Sequence, residues 1–146
     1  PSPLPPDVRR LKSAFGDSLN LDGFSVERRS SQTIFGPTAL VTTYWHVDAP
    51  IRDHLTFVFY LTRRSDGALQ GELRDAAPEP IWYPPYLWRR GEIVHLSVDV
   101  PRIDDLQAIG VAVVGDAGDR LPIRAAAGAA LWENGTIARI TRFDER

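Results

Sequence analysis

The chain has 146 residues, 43% of them apolar, with 17 basic and 19 acidic residues and a formal net charge of -2. That length and composition predict one globular domain that buries about two-thirds of its unfolded surface. The near-neutral balance argues against a nucleic-acid module, whose affinity rests on phosphate neutralisation. No apolar run approaches the roughly 20 residues a membrane-spanning helix needs, and no signal peptide is evident.

The absence of Met predicts a processed chain or a segment of a longer protein, and the opening Pro-Ser-Pro-Leu-Pro-Pro, read as an extended linker, favours the segment. The absence of Cys removes disulfides, thiolate catalysis and Cys-ligated zinc together. Lys12 is the only lysine, an arginine bias we read as base composition rather than a binding device.

In chain order, residues 7–17 read as a short helix, with Asp7 as its cap and Val8, Leu11 and Phe15 at helical spacing. Residues 1–18 are therefore expected to be linker and helix, with a β-sandwich over 19–146. Asp22-Gly23 falls inside the next apolar run. From there the period is two. Val41, Thr43, Trp45 and Val47 share one strand face; Leu55, Phe57, Phe59 and Leu61 share another, with Thr56, Val58, Tyr60 and Thr62 opposite. Ser65-Asp66-Gly67 is a turn, and residues 68–73 return as a hairpin partner. Arg90-Gly91 is a second turn. Val94, Leu96, Val98 and Val100 then alternate with Ile93, His95, Ser97 and Asp99. Residues 109–114 form a short, nearly continuous apolar strand ended by Gly115-Asp116. Pro122 makes residues 119–123 an edge segment. The Ala-rich stretch 124–131 reads either as a helical turn or as a loop. Asn134-Gly135 is a turn before a last strand over 136–143. About eight short strands, with turns roughly every 8 to 12 residues, predict an all-β, antiparallel, jelly-roll-like sandwich, with a barrel as the alternative.

An ordered series runs through the middle of the chain. It comprises residues 40–50, 53–61, 65–67, Gln70, residues 74–78, residues 88–94, residues 109–115 and 120–122, and it covers roughly residues 19–143. Its more specific blocks are Tyr44-Trp45, ahead of an alternating aromatic strand, and Trp88-x-x-Gly91-Glu92, opening the next strand. The series resembles the extracytoplasmic C-terminal β-sandwich domain of some bacterial polytopic membrane proteins. Those proteins are similar to the lipid-phosphate-sugar-dependent, mannosyltransferase-like glycosyltransferases. The resemblance implies a carbohydrate-binding-like accessory module on the periplasmic or cell-wall side of the membrane. Its implied partners are a glycan or lipid-linked sugar and the membrane-embedded remainder of the same protein. The chain departs from the pattern between Pro78 and Trp88, where a plainer polar loop ending in Thr or Ser is expected and Pro84-Pro85-Tyr86-Leu87 stands.

That departure carries the functional expectation. Trp82, Tyr83 and Tyr86, stiffened by Pro80, Pro84 and Pro85, can stack on the apolar faces of sugar rings, with Arg74, Asp75 and Glu79 as polar partners on the approach. Trp88 and Trp45 are expected in the core. Tyr44 and Tyr60 either extend an aromatic surface, if their strands are neighbours, or support a covering loop. Trp132 either clamps the Ala-rich segment or contacts ligand.

Other chemistry is weaker. His46, Asp48, Asp53 and His54 are metal-ligand types without a strong spacing, and His95 reads as a half-exposed sheet residue. Structural calcium through Asp116, Gly118 and Asp119, or through Asp104-Asp105, competes with ordinary turn formation. No nucleophile motif, catalytic carboxylate pair (Asp75 with Glu79 or Glu92 being candidates) or phosphate-binding glycine spacing over 110–118 stands out. The domain itself is expected to be non-catalytic, with any transferase chemistry in its parent. The alternative is a structural or protein-interaction module that docks the same aromatic surface on the membrane part or a partner subunit.

Overall fold

The computed structural model describes residues 9–16, 18–29, 38–51, 55–63, 69–74, 85–100, 106–115, 118–127, 130–132 and 137–142. Within them run ten strands and one short 3-10 turn: β1 (Arg9–Phe15), β2 (Leu19–Arg29), β3 (Thr38–Val47), β4 (Thr56–Arg63), β5 (Leu69–Arg74), the turn Pro85–Leu87, β6 (Val94–Val100), β7 (Leu106–Val114), β8 (Ile123–Ala127), β9 (Ala130–Trp132) and β10 (Ile137–Arg142). They form two five-stranded sheets, ordered β6-β3-β2-β1-β8 and β5-β4-β7-β10-β9. Every pairing is antiparallel. The all-β sandwich arrangement follows the alternation in the sequence.

The inward faces are those the period of two selects. Val41, Thr43, Trp45 and Val47 of β3, and Val94, Leu96, Val98 and Val100 of β6, are buried. Phe57, Phe59 and Leu61 of β4 meet them from the second sheet, with Leu55 just ahead of that strand. Rings chain across one end of this core: Phe15 to Trp45 at 5.2 Å, Trp45 to Phe57 at 5.0 Å, and Phe57 stacked on Trp88 at 5.9 Å. Removing a large apolar side chain of this kind from water contributes about 1.5–3 kcal/mol. The one buried polar chain on β3 is satisfied: the Trp45 indole N–H donates to Thr43 Oγ1 at 2.6 Å, and the Thr43 hydroxyl donates to the Leu96 carbonyl at 3.2 Å.

The two sheets differ on their outer faces. Over residues 57–61 of β4 and 108–114 of β7 both faces are apolar and buried; Val58, Tyr60, Ala112 and Val114 form a second apolar cluster behind the main core. Near-continuous apolar strands of this kind are the signature of burial on both faces. The first sheet instead turns polar outward, with Ser25, Thr42, His95 and Ser97 on that side. Thr42 and Ser97 are hydrogen-bonded there at 2.9 Å.

Two expectations change. Residues 9–15 form a strand, not a helix: β1 lies inside the first sheet between β2 and β8. Ser13 and Phe15 are both buried, which is strand alternation. Because Ser13 is polar, the helical spacing of Val8, Leu11 and Phe15 was the more visible pattern. The described residues of the Ala-rich stretch are strand, contributing to β8 and β9. Asp22-Gly23 lies inside β2, in keeping with its place inside the apolar run, and the pairing of β2 with β3 slips between Leu21 and Gly23.

Several loops gather at one end. Phe15 pairs with both Leu19 and Ile123, Leu19 with Val47, and Trp45 with Val94. The second sheet joins that end through Leu121, whose amide donates to the Val113 carbonyl and whose side chain lies beside Gly16. The Gly16 amide donates to the Pro122 carbonyl at 2.8 Å. The turn after β1, the segment after β3, the turn before β6 and the loop after β7 therefore share one rim.

Candidate recognition surface

On this rim the chain from Pro85 to Glu92 makes two consecutive tight turns. The Trp88 amide donates to the Pro85 carbonyl, and the Glu92 amide donates to the Arg89 carbonyl, both at 3.1 Å. Gly91 closes the second turn at φ +84°, in the left-handed region that glycine enters without steric cost. Pro85 and Trp88 are buried, and the two residues between them are not: Tyr86 is 51% exposed and Leu87 52%. Among the described residues these are the exposed large apolar side chains. Arg89 and Arg90 follow, also exposed. The rim thus presents an aromatic ring and an isobutyl group between two anchors, with two guanidinium groups beside them.

Of the residues expected to bind ligand, Tyr86 stands exposed on this tip. Trp82, Tyr83, Asp75 and Glu79 lie outside the described residues. Arg74 closes β5, where its backbone pairs with Val58 at the edge of the second sheet. Trp88 and Trp45 are core residues, as expected. Trp132 is the last residue of β9 and pairs with Ile137.

Tyr44 and Tyr60 form no joint surface, because β3 and β4 belong to different sheets. Both are buried. The Tyr44 ring meets His95 edge-on at 4.6 Å, and its hydroxyl shares a 3.3 Å hydrogen bond with Ser25 Oγ. Tyr60 is covered by Arg120, whose guanidinium lies 5.2 Å from the ring centre and donates to the Tyr60 hydroxyl at 3.1 Å. The two blocks that carry the family resemblance accordingly serve the fold: Tyr44-Trp45 fills both faces of β3, and Trp88 with Gly91-Glu92 anchors and closes the turn before β6.

A second polar group stands near the same rim, and its key member is not evident from the sequence. His46 Nδ1 lies 2.6 Å from Asp22 Oδ2, and His46 Nε2 lies 3.2 Å from Asp48 Oδ1. Asn20 Nδ2 donates to the other Asp48 oxygen at 2.9 Å, and the Asp48 amide donates to the Ser18 carbonyl at 2.8 Å. Asp22 reaches His46 because it is the extra residue of the β2 bulge, which turns its side chain towards the ring. A glycine inside a strand pattern is the sequence signal for such a bulge, and Gly23 supplies it. Burial pushes the Asp22 carboxyl above its ordinary 3.8; the hydrogen bond and charge of His46 oppose that shift, and Asp48 adds to it. Asp53 and His54, the other members of the metal-ligand set read from the sequence, lie outside the described residues. Among the described residues no group of three His, Asp or Glu side chains is placed to hold a metal ion. For the calcium reading, Gly118 at φ +86° and the Asp119 carbonyl, which accepts from Gly115, are accounted for by a turn; Asp104, Asp105 and Asp116 lie outside the described residues.

Chemically, the tip can stack on a flat apolar face and offer guanidinium donors at its border. The Asp22–His46–Asp48 chain can hold and release a proton. Among the described residues no helix is long and apolar enough to cross a membrane. Comparison with family models, with curated proteins and with solved structures gives no match.

Proposed function

We propose that this chain is a non-catalytic recognition module, a jelly-roll-like sandwich that binds glycan through the tip bearing Tyr86. The observation that carries the reading is the half-exposed Tyr86 ring held between buried Pro85 and Trp88. A ring fixed before the ligand arrives loses little conformational freedom on binding, and sugar C–H faces stack on such rings. Trp82 and Tyr83, a few residues earlier in the sequence, would extend the platform, and Arg74, Asp75 and Glu79 would supply polar contacts. The jelly-roll description is supported by the repeated crossings between sheets from β3 onward. The sequence resemblance supports placing the module on the extracytoplasmic side of a glycosyltransferase-like membrane protein, as its accessory domain.

A docking role is the second reading, and Leu87 favours it: an exposed Leu beside Tyr86 adds apolar area that a sugar does not need. In that reading the tip rests on the membrane-embedded remainder of the protein or on a partner subunit.

NMR titration of the chain with a broad oligosaccharide panel tests the first reading. Glycan recognition predicts shifts centred on residues 86–90, and about tenfold weaker binding for Tyr86→Ala, equivalent to about 1.4 kcal/mol. Leu87→Asp then leaves sugar affinity nearly unchanged while abolishing any protein docking. No perturbation at the tip across the panel rejects the glycan reading.

A further inference from the structure

We infer that Asp22, His46 and Asp48 form a proton-operated clasp that fastens the segment leaving β3 at acidic pH and frees Asp48 at alkaline pH. The inference begins with a donor count. Both imidazole nitrogens of His46 face carboxylate oxygens, at 2.6 Å to Asp22 and 3.2 Å to Asp48. A neutral imidazole has one N–H and one lone pair, whereas an ionised carboxylate only accepts. Both contacts are therefore hydrogen bonds only when the group holds one proton more than a neutral ring between two carboxylates. That proton resides on the ring, as imidazolium, or on Asp22, which then donates to Nδ1 while Nε2–H donates to Asp48. Burial of Asp22, which raises its affinity for a proton, supports this sharing.

When the extra proton leaves, one contact must open, and the surroundings select which. Asp22 is partly buried and makes the shorter contact, and an unpartnered polar group costs more where water cannot reach it. The Asp48 side chain is 64% exposed and can exchange His46 for water. The neutral ring thus keeps its hydrogen on Nδ1 for Asp22 and turns a bare Nε2 towards Asp48. Two lone-pair-bearing atoms then face each other, and the carboxylate swings out.

Among the described residues, the neighbouring elements bring few charged groups to the clasp. The charged groups acting on Asp22 are His46 and Asp48. On the adjoining strands, Arg10 of β1 pairs with Gly23 through the backbone, and β6 brings His95 against Tyr44, one rung further along β3. Glu92 precedes β6, and Asn20 of β2 is the neutral partner of Asp48. The clasp is independent of what Tyr86 meets, although it fastens a segment on the same rim.

Side-chain 1H–15N NMR of the intact chain between about pH 5 and about pH 8.5 reads the states of His46 directly. An imidazolium or Nε2–H ring at the acid end, converting to an Nδ1–H ring at the alkaline end, is the expected result. A ring that remains Nε2–H at alkaline pH overturns the clasp, as does one that stays Nδ1–H throughout. Amide exchange supplies a second readout, because the Asp48 amide donates to Ser18. Its protection, corrected for intrinsic pH dependence, should fall severalfold across the same transition. Asp48→Asn should abolish that change, since a carboxamide can accept from Nε2–H or donate to bare Nε2 by flipping. Protection that is flat in the native chain, or equally pH-dependent in Asp48→Asn, also overturns it.

Discussion

Asp22 occupies a position in which two physical effects oppose each other, and their balance fixes a measurable slope. Burial raises the carboxyl, the hydrogen bond and charge of His46 lower it, and Asp48 raises it again; the net direction is up from 3.8. A carboxyl raised on folding binds its proton more tightly in the native state than in the unfolded chain. The stability it contributes is therefore present below 3.8 and is lost as pH rises through the higher native value. Asp22→Asn keeps an oxygen acceptor for His46 but cannot titrate. Urea denaturation of both proteins across the acid and neutral range should show the native chain losing stability relative to Asp22→Asn as pH rises above the ordinary 3.8. The difference should then level off once the carboxyl is fully ionised. A native chain that gains on the variant with rising pH would mean that His46, not burial, controls this carboxyl.

At the level of the strands, β1 shows how one polar side chain can conceal an element. Ser13 points inward at 1% exposure, and among the described residues its hydroxyl has no hydrogen-bond partner. An unsatisfied buried hydroxyl carries a desolvation cost and returns no bond, so Ser13→Ala should be neutral or stabilise the fold by up to about 1 kcal/mol. Thermal or urea unfolding measures it; a loss above about 1 kcal/mol would mean that the hydroxyl has a partner. The same position explains why β1 read as a helix. In β6, and over residues 57–61 of β4, every inward residue is apolar, and the period of two was legible outright. In β1 a serine interrupts it, while in β8 the alanines carry no pattern of size or polarity. The tip was legible because prolines bracket aromatic residues there, a combination with few ordinary uses in a loop. Asp22 was not, since its role depends on a slip of one residue in the β2–β3 pairing, and long-range pairing leaves only Gly23 as a local trace.

Over the molecule as a whole, the placement of β1 changes where the folding unit starts. A linker and helix over residues 1–18 could be removed with little consequence for a sandwich over 19–146. The structure instead puts β1 between β2 and β8, and Phe15 at 1% exposure against Trp45. Deleting residues 1–18 removes the ladder partners of both neighbouring strands and the Phe15 ring together. Truncating a buried Phe alone costs about 3–5 kcal/mol, and a domain of this size holds only about 5–15 kcal/mol in total. Two newly unpaired inner strand edges add exposed backbone that invites pairing with other chains. The 19–146 chain should therefore be aggregation-prone and show no cooperative thermal transition, whereas the 9–146 chain should unfold cooperatively near the temperature of the full sequence. Paired circular-dichroism melts of the two truncations separate the alternatives. Cooperative unfolding of 19–146 with an unchanged spectrum would place β1 outside the core and restore the linker reading.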